Sequence, residues 1–134
     1  MFKIKKAVVL CSGAVGIAAL ATVIAPATAS AATYGGQCGA GHHVIDSHAL
    51  SSGTIFLTYD GSTNCVVTVR NQPGNPVHMT AGLRKAGDGE HTAFDEGNFR
   101  EYAGPVKLSA KGQCIDWGGM IGNDVWNGYK THCG

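Results

Sequence analysis

Beyond residue 31 the chain consists of short β-branched runs separated by glycine, proline, asparagine and aspartate. Its apolar residues do not recur at the three- and four-residue spacing of an amphipathic helix. Alternation with a period of two, bounded by turn residues, is typical of strands. The sequence therefore predicts an all-β domain, either a small sandwich or a barrel built from hairpins.

The clearest hairpin lies between residues 54 and 70. Its arms, residues 54–59 and 65–70, flank an Asp60-Gly61 pair, which is a strong turn signal. Apolar side chains alternate with threonine in both arms, so we expect each strand to be buried on one face only. The predicted buried sets are Ile55, Leu57 and Tyr59 in the first arm and Cys65, Val67 and Val69 in the second.

A second hairpin is predicted from residues 105–109 and 113–117. Both hairpins begin with a glycine and place a cysteine at the start of the second arm, which raises an internal duplication of the sandwich as one interpretation. Short hairpins that look alike by chance are the other. Further strands are expected near residues 43–47, 77–83 and 125–131, with loops at 71–76 and 84–89. In the ambiguous stretch 90–102 the expected core anchors are Phe94, Phe99 and Tyr102.

The start of the chain has the layout of a secretory signal peptide. Three lysines among the first six residues precede an uncharged apolar run over residues 7–24, and small residues follow Pro26. This order is typical of export followed by cleavage. The run also falls short of the roughly 20 apolar residues that a membrane-spanning helix needs.

We predict cleavage after Ala31, with Ala29 and Ala32 as neighbouring positions. Residues 1–31 then form the signal peptide, and residues 32–134 form one small all-β domain. The full chain has 10 basic and 9 acidic residues, and the signal removes three lysines, so the domain has a net charge of −2. Its cations are scattered, which argues against a nucleic-acid partner. After cleavage no membrane partner is expected.

Four cysteines remain in the predicted domain, and an even number in a small exported domain predicts two disulfides. Sequential pairing would join Cys38 to Cys65 and Cys114 to Cys133. Nested pairing would join Cys38 to Cys133 and Cys65 to Cys114. Loop entropy grows slowly with length, so it favours the sequential pairing only slightly. The wide cysteine spacing also argues against a zinc site.

Histidines are the first candidates for metal chemistry. His42, His43, His48 and His132 could supply imidazole ligands, but on an extended strand His42 and His48 would stand roughly 20 Å apart. We therefore interpret them as surface histidines and predict no metal and no cofactor.

No catalytic constellation is recognisable in the sequence. The cysteines are committed to disulfides, and no Gly-x-Ser-x-Gly motif is present. Asp95 and Glu96 are adjacent, so on a strand they face opposite ways. Glu101 and Asp116 are the acids that could meet across strands. We therefore expect no catalytic residues and predict that the protein is not an enzyme.

Aromatic residues near the end of the chain are the candidates for surface binding. Trp126 and Tyr129 could form a platform on which a sugar ring stacks, because aromatic faces suit such contacts. Trp117 follows Ile115 at strand spacing, which indicates a core position instead.

Several motifs resemble the spore-associated protein A family of secreted actinomycete proteins. The similarity covers most of the predicted domain and is carried by the motifs Cys38-Gly39-x-Gly41, Gly53-Thr54-Ile55, Asn64-Cys65-Val66-Val67-Thr68-Val69-Arg70-Asn71, Gly112-Gln113-Cys114-Ile115-Asp116-Trp117-Gly118-Gly119 and His132-Cys133-Gly134. The resemblance implies export and association with the spore or aerial-hypha surface. It implies no catalytic residue.

The sequence thus favours a secreted, non-enzymatic protein that associates with the spore or cell envelope, with a glycan as one partner to consider. A protease inhibitor that presents the 71–76 or the 84–89 loop is the alternative, because a rigid loop lowers the cost of binding. An exported hydrolase is a third hypothesis. The sequence does not predict an oligomeric state.

Overall fold

The computed structural model describes residues 31–89 and 92–134, and these residues form eight strands without a helix. The predicted signal peptide lies outside the described residues, apart from Ala31. The strands are β1 (His43–Ala49), β2 (Gly53–Tyr59), β3 (Thr63–Arg70), β4 (Val77–Lys85), β5 (Thr92–Phe99), β6 (Tyr102–Ser109), β7 (Ile115–Ile121) and β8 (Asp124–Thr131). Within the described ranges there is consequently no helix that could cross a membrane.

The strands form two antiparallel sheets. Sheet 1 has the order β1-β2-β3-β6, and sheet 2 has the order β5-β4-β7-β8. Their inner faces enclose a core to which sheet 1 contributes Ile55, Leu57 and Val66, and sheet 2 contributes Leu83 and Trp117. The predicted disulfide-linked all-β sandwich is confirmed, because two facing sheets with one shared core define that architecture.

The hairpin of β2 and β3 is confirmed, but the prediction that its strands are buried on one face only is wrong. Phe56 pairs with Val67 across the hairpin, and these two side chains and Val69 are buried on the outer face of sheet 1. Ala32 and Tyr34 pack over them. The predicted sets do each share a face, but Ile55 and Leu57 point into the core while Val67 and Val69 point the other way.

The segment that covers sheet 1, residues 32–42, is attached at several points. The Cys38–Cys65 disulfide joins it to β3, and the backbone N–H of Ala32 donates to Asn71 Oδ1 at 2.9 Å. The His42 side chain is 3% exposed, and its Nδ1 lies 2.9 Å from Thr58 Oγ1. The second disulfide joins Cys114 to Cys133, so the sequential pairing is the one that forms.

The predicted second hairpin is wrong. β6 pairs with β3 in sheet 1, whereas β7 pairs with β4 and β8 in sheet 2. Residues 110–114 therefore cross from one sheet to the other through a turn in which Gln113 N–H donates to the Ala110 carbonyl at 3.0 Å. Because the two glycine-to-cysteine segments are not equivalent hairpins, their likeness does not support an internal duplication.

Two further expectations are corrected, one on the core anchors in residues 90–102 and one on the loop 84–89. Of the predicted core anchors, Phe99 packs against the core, but Phe94 and Tyr102 are exposed. Phe94 pairs with Gly82, and its side chain stands on the outer face because alternate residues of a strand point to opposite faces. The predicted loop 84–89 is shorter than expected, since Arg84 and Lys85 belong to β4.

Side chains close the sandwich along one side, where the edge strands β1 and β8 face each other. The His48 and Trp126 rings stack with centroids 4.2 Å apart, and His132 Nε2 lies 3.3 Å from Asp46 Oδ2. At the end of this seam Ser51 donates to Asp124 Oδ2 from its backbone N–H at 2.7 Å and from its hydroxyl at 2.8 Å. The seam thus links the sheets without backbone pairing.

The two hydrogen bonds that Ser51 donates to Asp124, here called the Asp124 clasp, make the seam sensitive to acid. The Ser51 backbone and hydroxyl hydrogen bonds, and the nearby His48 charge, lower the pKa of Asp124 below its ordinary value of 3.8. The folded state therefore favours the carboxylate, and its contribution is present above pH 3.8 and is lost as the pH falls through the lower folded pKa. We expect Asp124→Ala to reduce the free energy of unfolding at neutral pH, and the difference from the wild type to shrink below pH 3.8. Urea denaturation across this range measures it. A difference that does not change with pH would contradict the clasp.

Candidate ligand-binding groove

The outer faces of the two sheets differ. Sheet 1 is covered by residues 32–42, whereas the outer face of sheet 2 carries exposed apolar side chains: Phe94 is 56%, Val125 56% and Tyr129 63% exposed. Phe94 stands on the edge strand β5, and Val125 and Tyr129 stand on the opposite edge strand β8. Between the two edges lies a shallow groove of about 210 Å³.

Glycines form the floor of this groove. Gly82 of β4 pairs with Phe94 on one side and with Gly118 of β7 on the other, and Gly118 pairs with Asn127 of β8. These four residues make one row across the sheet. A Cβ at Gly82 would lie 3.2 Å from the Phe94 ring, and one at Gly118 would collide with the Asn127 side chain and the Trp126 carbonyl. Glycine therefore lets the neighbouring side chains lie low on the sheet, and it leaves backbone as the floor.

A β-bulge shapes the wall on β8. Ile115 pairs with Thr131 and Trp117 with Gly128, so two residues of β8, Tyr129 and Lys130, stand opposite Asp116. Such a bulge redirects side chains and increases local twist. Lys130 has a φ of 54°, and its backbone N–H donates to Asp116 Oδ1 at 2.8 Å. The Asp116 carboxylate thus supports the bulge that projects Tyr129 from the sheet.

One end of the groove contains an ion pair. Arg84 Nε donates to Asp116 Oδ2 at 2.8 Å, and the side chains are 40% and 11% exposed respectively. Because Lys130 N–H occupies the other oxygen, both carboxylate oxygens of Asp116 accept hydrogen bonds. This end of the groove is therefore polar, and the positive charge of Arg84 is compensated by the negative charge of Asp116.

The acids considered as catalytic candidates are not brought together. Glu101 lies at the turn between β5 and β6, where its carbonyl accepts a hydrogen bond from Arg70 N–H at 2.9 Å, and it borders a different depression from Asp116. Asp95 and Glu96 face opposite ways, as expected for neighbours on a strand. Asp95 Oδ2 accepts from Gly104 N–H, whereas Glu96 Oε2 lies 3.1 Å from His78 Nε2.

The histidines are distributed over separate contacts. The interpretation as a surface histidine is wrong for His42, whose side chain is buried between Thr58 and Asp60. His48 stacks on Trp126, and His132 approaches Asp46. His43 is exposed on β1. Over residues 31–89 and 92–134, no group of three histidine, cysteine or acidic side chains is placed to hold a metal ion.

The three aromatic residues singled out in the sequence have different positions. Trp117 is buried in the core, as predicted. Trp126 packs against that core and contacts His48 on one side and Trp117, with ring centroids 4.9 Å apart, on another, so packing occupies much of its ring. Tyr129 is open to solvent beside the groove. Its partner across the groove, Phe94, was missed because the sequence suggested a core anchor.

The two loops suggested for a protease inhibitor have different outcomes. Loop 71–76 is exposed but tied down, since Arg70 Nη1 donates to the Asn75 carbonyl at 2.8 Å and Gly74 N–H donates to the Arg100 carbonyl at 3.0 Å. Only the latter part of the 84–89 segment lies outside β4. The inhibitor hypothesis stays a prediction.

Fold and surface together define a small disulfide-linked β-sandwich with one covered outer face and one open, grooved face. The chain is 46% identical over 129 residues to spore-associated protein A of Streptomyces coelicolor, and the match covers 91% of this chain and 82% of that protein. The chain therefore belongs to the spore-associated protein A family. Neither the protein-family models nor the solved structures contain a significant match.

Proposed function

We propose that the protein is exported, associates with the spore or cell-envelope surface through the outer face of sheet 2, and catalyses no reaction. The observation that carries this proposal is the contrast between the faces. A segment held by a disulfide covers the central strands β2 and β3 of sheet 1 and leaves exposed apolar side chains only at its edge strands, while Phe94, Val125 and Tyr129 remain exposed on either side of the sheet 2 groove. A cluster of exposed apolar side chains on a small domain is typical of an interaction surface.

Three further points support the proposal. The N-terminal sequence has the layout of an export signal, and a relative with 46% identity carries a name that associates it with spores. The non-enzymatic part is supported by the acids themselves. Asp116 has hydrogen bonds to both carboxylate oxygens, and Glu101 lies elsewhere, whereas a hydrolase of the glycosidase type needs two carboxyl groups that converge on one bond.

Co-sedimentation with spores and with purified cell-envelope fragments tests the proposal. We expect the wild-type protein to pellet with at least one of these materials and the Phe94→Ala/Tyr129→Ala double variant to lose most of its bound fraction. A matched control is Val44→Ala/Ile45→Ala, which also removes two exposed apolar side chains but from edge strand β1 of sheet 1. The control should pellet like the wild type. Failure of the wild type to pellet, or equal losses in both variants, would refute the proposed surface.

A further inference from the structure

The groove on sheet 2 combines exposed aromatic rings with glycine on the strands between them. Phe94 and Tyr129 offer the rings from β5 and β8, and the two strands between them carry Gly82 and Gly118 at paired positions. With neighbouring strands ~4.8 Å apart, the two wall strands are about 14 Å apart. A flat ring can therefore enter between the walls, where it meets the Phe94 ring and the Asn127 side chain that lie over the two glycines.

Polar groups of the same groove are planar or hydroxylic. Thr92 supplies a hydroxyl, Asn127 a side-chain amide, and the Arg84–Asp116 pair a guanidinium beside a carboxylate. An amide offers two donors and an acceptor with two lone pairs, and a hydroxyl can donate or accept. A ligand with many hydroxyl groups and an apolar ring face matches this mixture of donors, acceptors and aromatic surface.

Charge and size narrow the class of ligand. Arg84 is already paired with Asp116 at 2.8 Å, and the predicted mature domain has a net charge of −2, so a polyanion finds no uncompensated cation cluster here. The volume of about 210 Å³ is smaller than the roughly 300–1,000 Å³ of pockets for drug-sized molecules. A groove of this volume accommodates one ring of a longer ligand chain, and the rest of that chain would continue along the surface.

We infer that the groove binds a neutral sugar ring of an envelope glycan, with the ring stacked against Tyr129 and Phe94 and its hydroxyl groups bonded to Asn127 and Thr92. This inference rests on the proposed function and specifies its ligand. Asp116 and Arg84 act as positioning residues, because the carboxylate holds the β8 bulge from which Tyr129 projects.

Isothermal titration with N-acetylglucosamine tetramer and with cellotetraose tests the inference, and dextran sulfate serves as the anionic probe. We expect at least one neutral tetramer to bind and dextran sulfate not to bind. Tyr129→Ala should weaken binding about tenfold or more, because an aromatic side chain at the centre of a binding site carries much of the affinity. Tyr129→Phe, which keeps the ring, should bind within a few-fold of the wild type.

Val44→Ala is the matched control, because Val44 is exposed on edge strand β1 of sheet 1, away from the groove, and this variant should bind like the wild type. Absence of binding by both neutral tetramers, tighter binding of dextran sulfate, or equal effects of Tyr129→Ala and Val44→Ala would overturn the inference. A protein that pellets with envelope material but binds neither tetramer retains the proposed function and loses its glycan ligand. A protein that binds a tetramer but does not pellet keeps its glycan ligand and loses the proposed function.

Discussion

Replacing Cys38 and Cys65 together by alanine is expected to lower the free energy of unfolding by about 3–4 kcal/mol, the value for a disulfide that closes a loop of this length. The two cysteines are 27 residues apart and are buried. For a domain whose total stability is on the order of 5–15 kcal/mol this is a large fraction. Urea denaturation of the oxidised wild type and of the double variant measures the loss.

The same variant should also expose the outer face of sheet 1. Without the disulfide, the segment that carries Tyr34 is held over Phe56 and Val67 by weaker contacts, so we expect increased binding of a hydrophobic dye under native conditions. The control is Cys114→Ala/Cys133→Ala. It removes a disulfide of similar sequence separation, 19 residues, and should cost about 3 kcal/mol without added dye binding. A loss below about 1 kcal/mol for the first pair would contradict a stabilising role of the Cys38–Cys65 disulfide.

Trp117→Ala is expected to cost about 3–5 kcal/mol, as removal of a large aromatic side chain from a core does. Trp117 is 2% exposed, and it packs with Ile55, Leu83 and Ile115 in the core between the sheets. It also contacts Trp126, and Gly128 makes room for both indoles, since a Cβ there would lie 2.7 Å from the Trp126 ring. Thermal or urea unfolding measures the change.

Two comparisons separate core packing from other effects of this substitution. Trp117→Phe should cost less, because Trp117 Nε1 has no hydrogen-bond partner among residues 31–89 and 92–134, so phenylalanine forfeits volume but no such bond. Trp126→Ala should also cost less, because Trp126 is only partly buried. If Trp126→Ala proved the more damaging, the core would not be organised around Trp117 as described.

Local patterning predicted most of the strands. The Asp60-Gly61 turn and the alternation on either side of it identify β2 and β3 nearly to the residue. Alternating apolar and polar residues indicate that the two faces of a strand differ. They do not indicate whether another segment of the chain packs over either face. Residues 32–42 lie over sheet 1 through a disulfide and tertiary contacts, so the second buried face, around Phe56 and Val67, could not be recognised from period alone.

Strand partnership was the part that sequence could not determine. Residues 105–117 have the composition of a hairpin, yet β6 joins β3 and β7 joins β4, because long-range pairing outweighs the proximity of the two segments along the chain. The groove was missed for the same reason. Phe94, Gly82, Gly118 and Asn127 lie on four different strands and form one row only after the sheet assembles. Tyr129 could be considered from the sequence because it is an aromatic residue near the end of the chain, which is a local property.

The covered face of sheet 1 is also the side of the domain on which its first described residues lie. Ala31 and Ala32 border a depression with Val69 and Asn71 on the sheet 1 side, whereas the groove lies on the outer face of sheet 2. A carrier or bead attached at Ala31 would therefore be joined to the sheet 1 side of the domain. The groove on the opposite side would stay accessible. The same geometry makes the N-terminal end the suitable attachment point for a fusion that displays a functional groove.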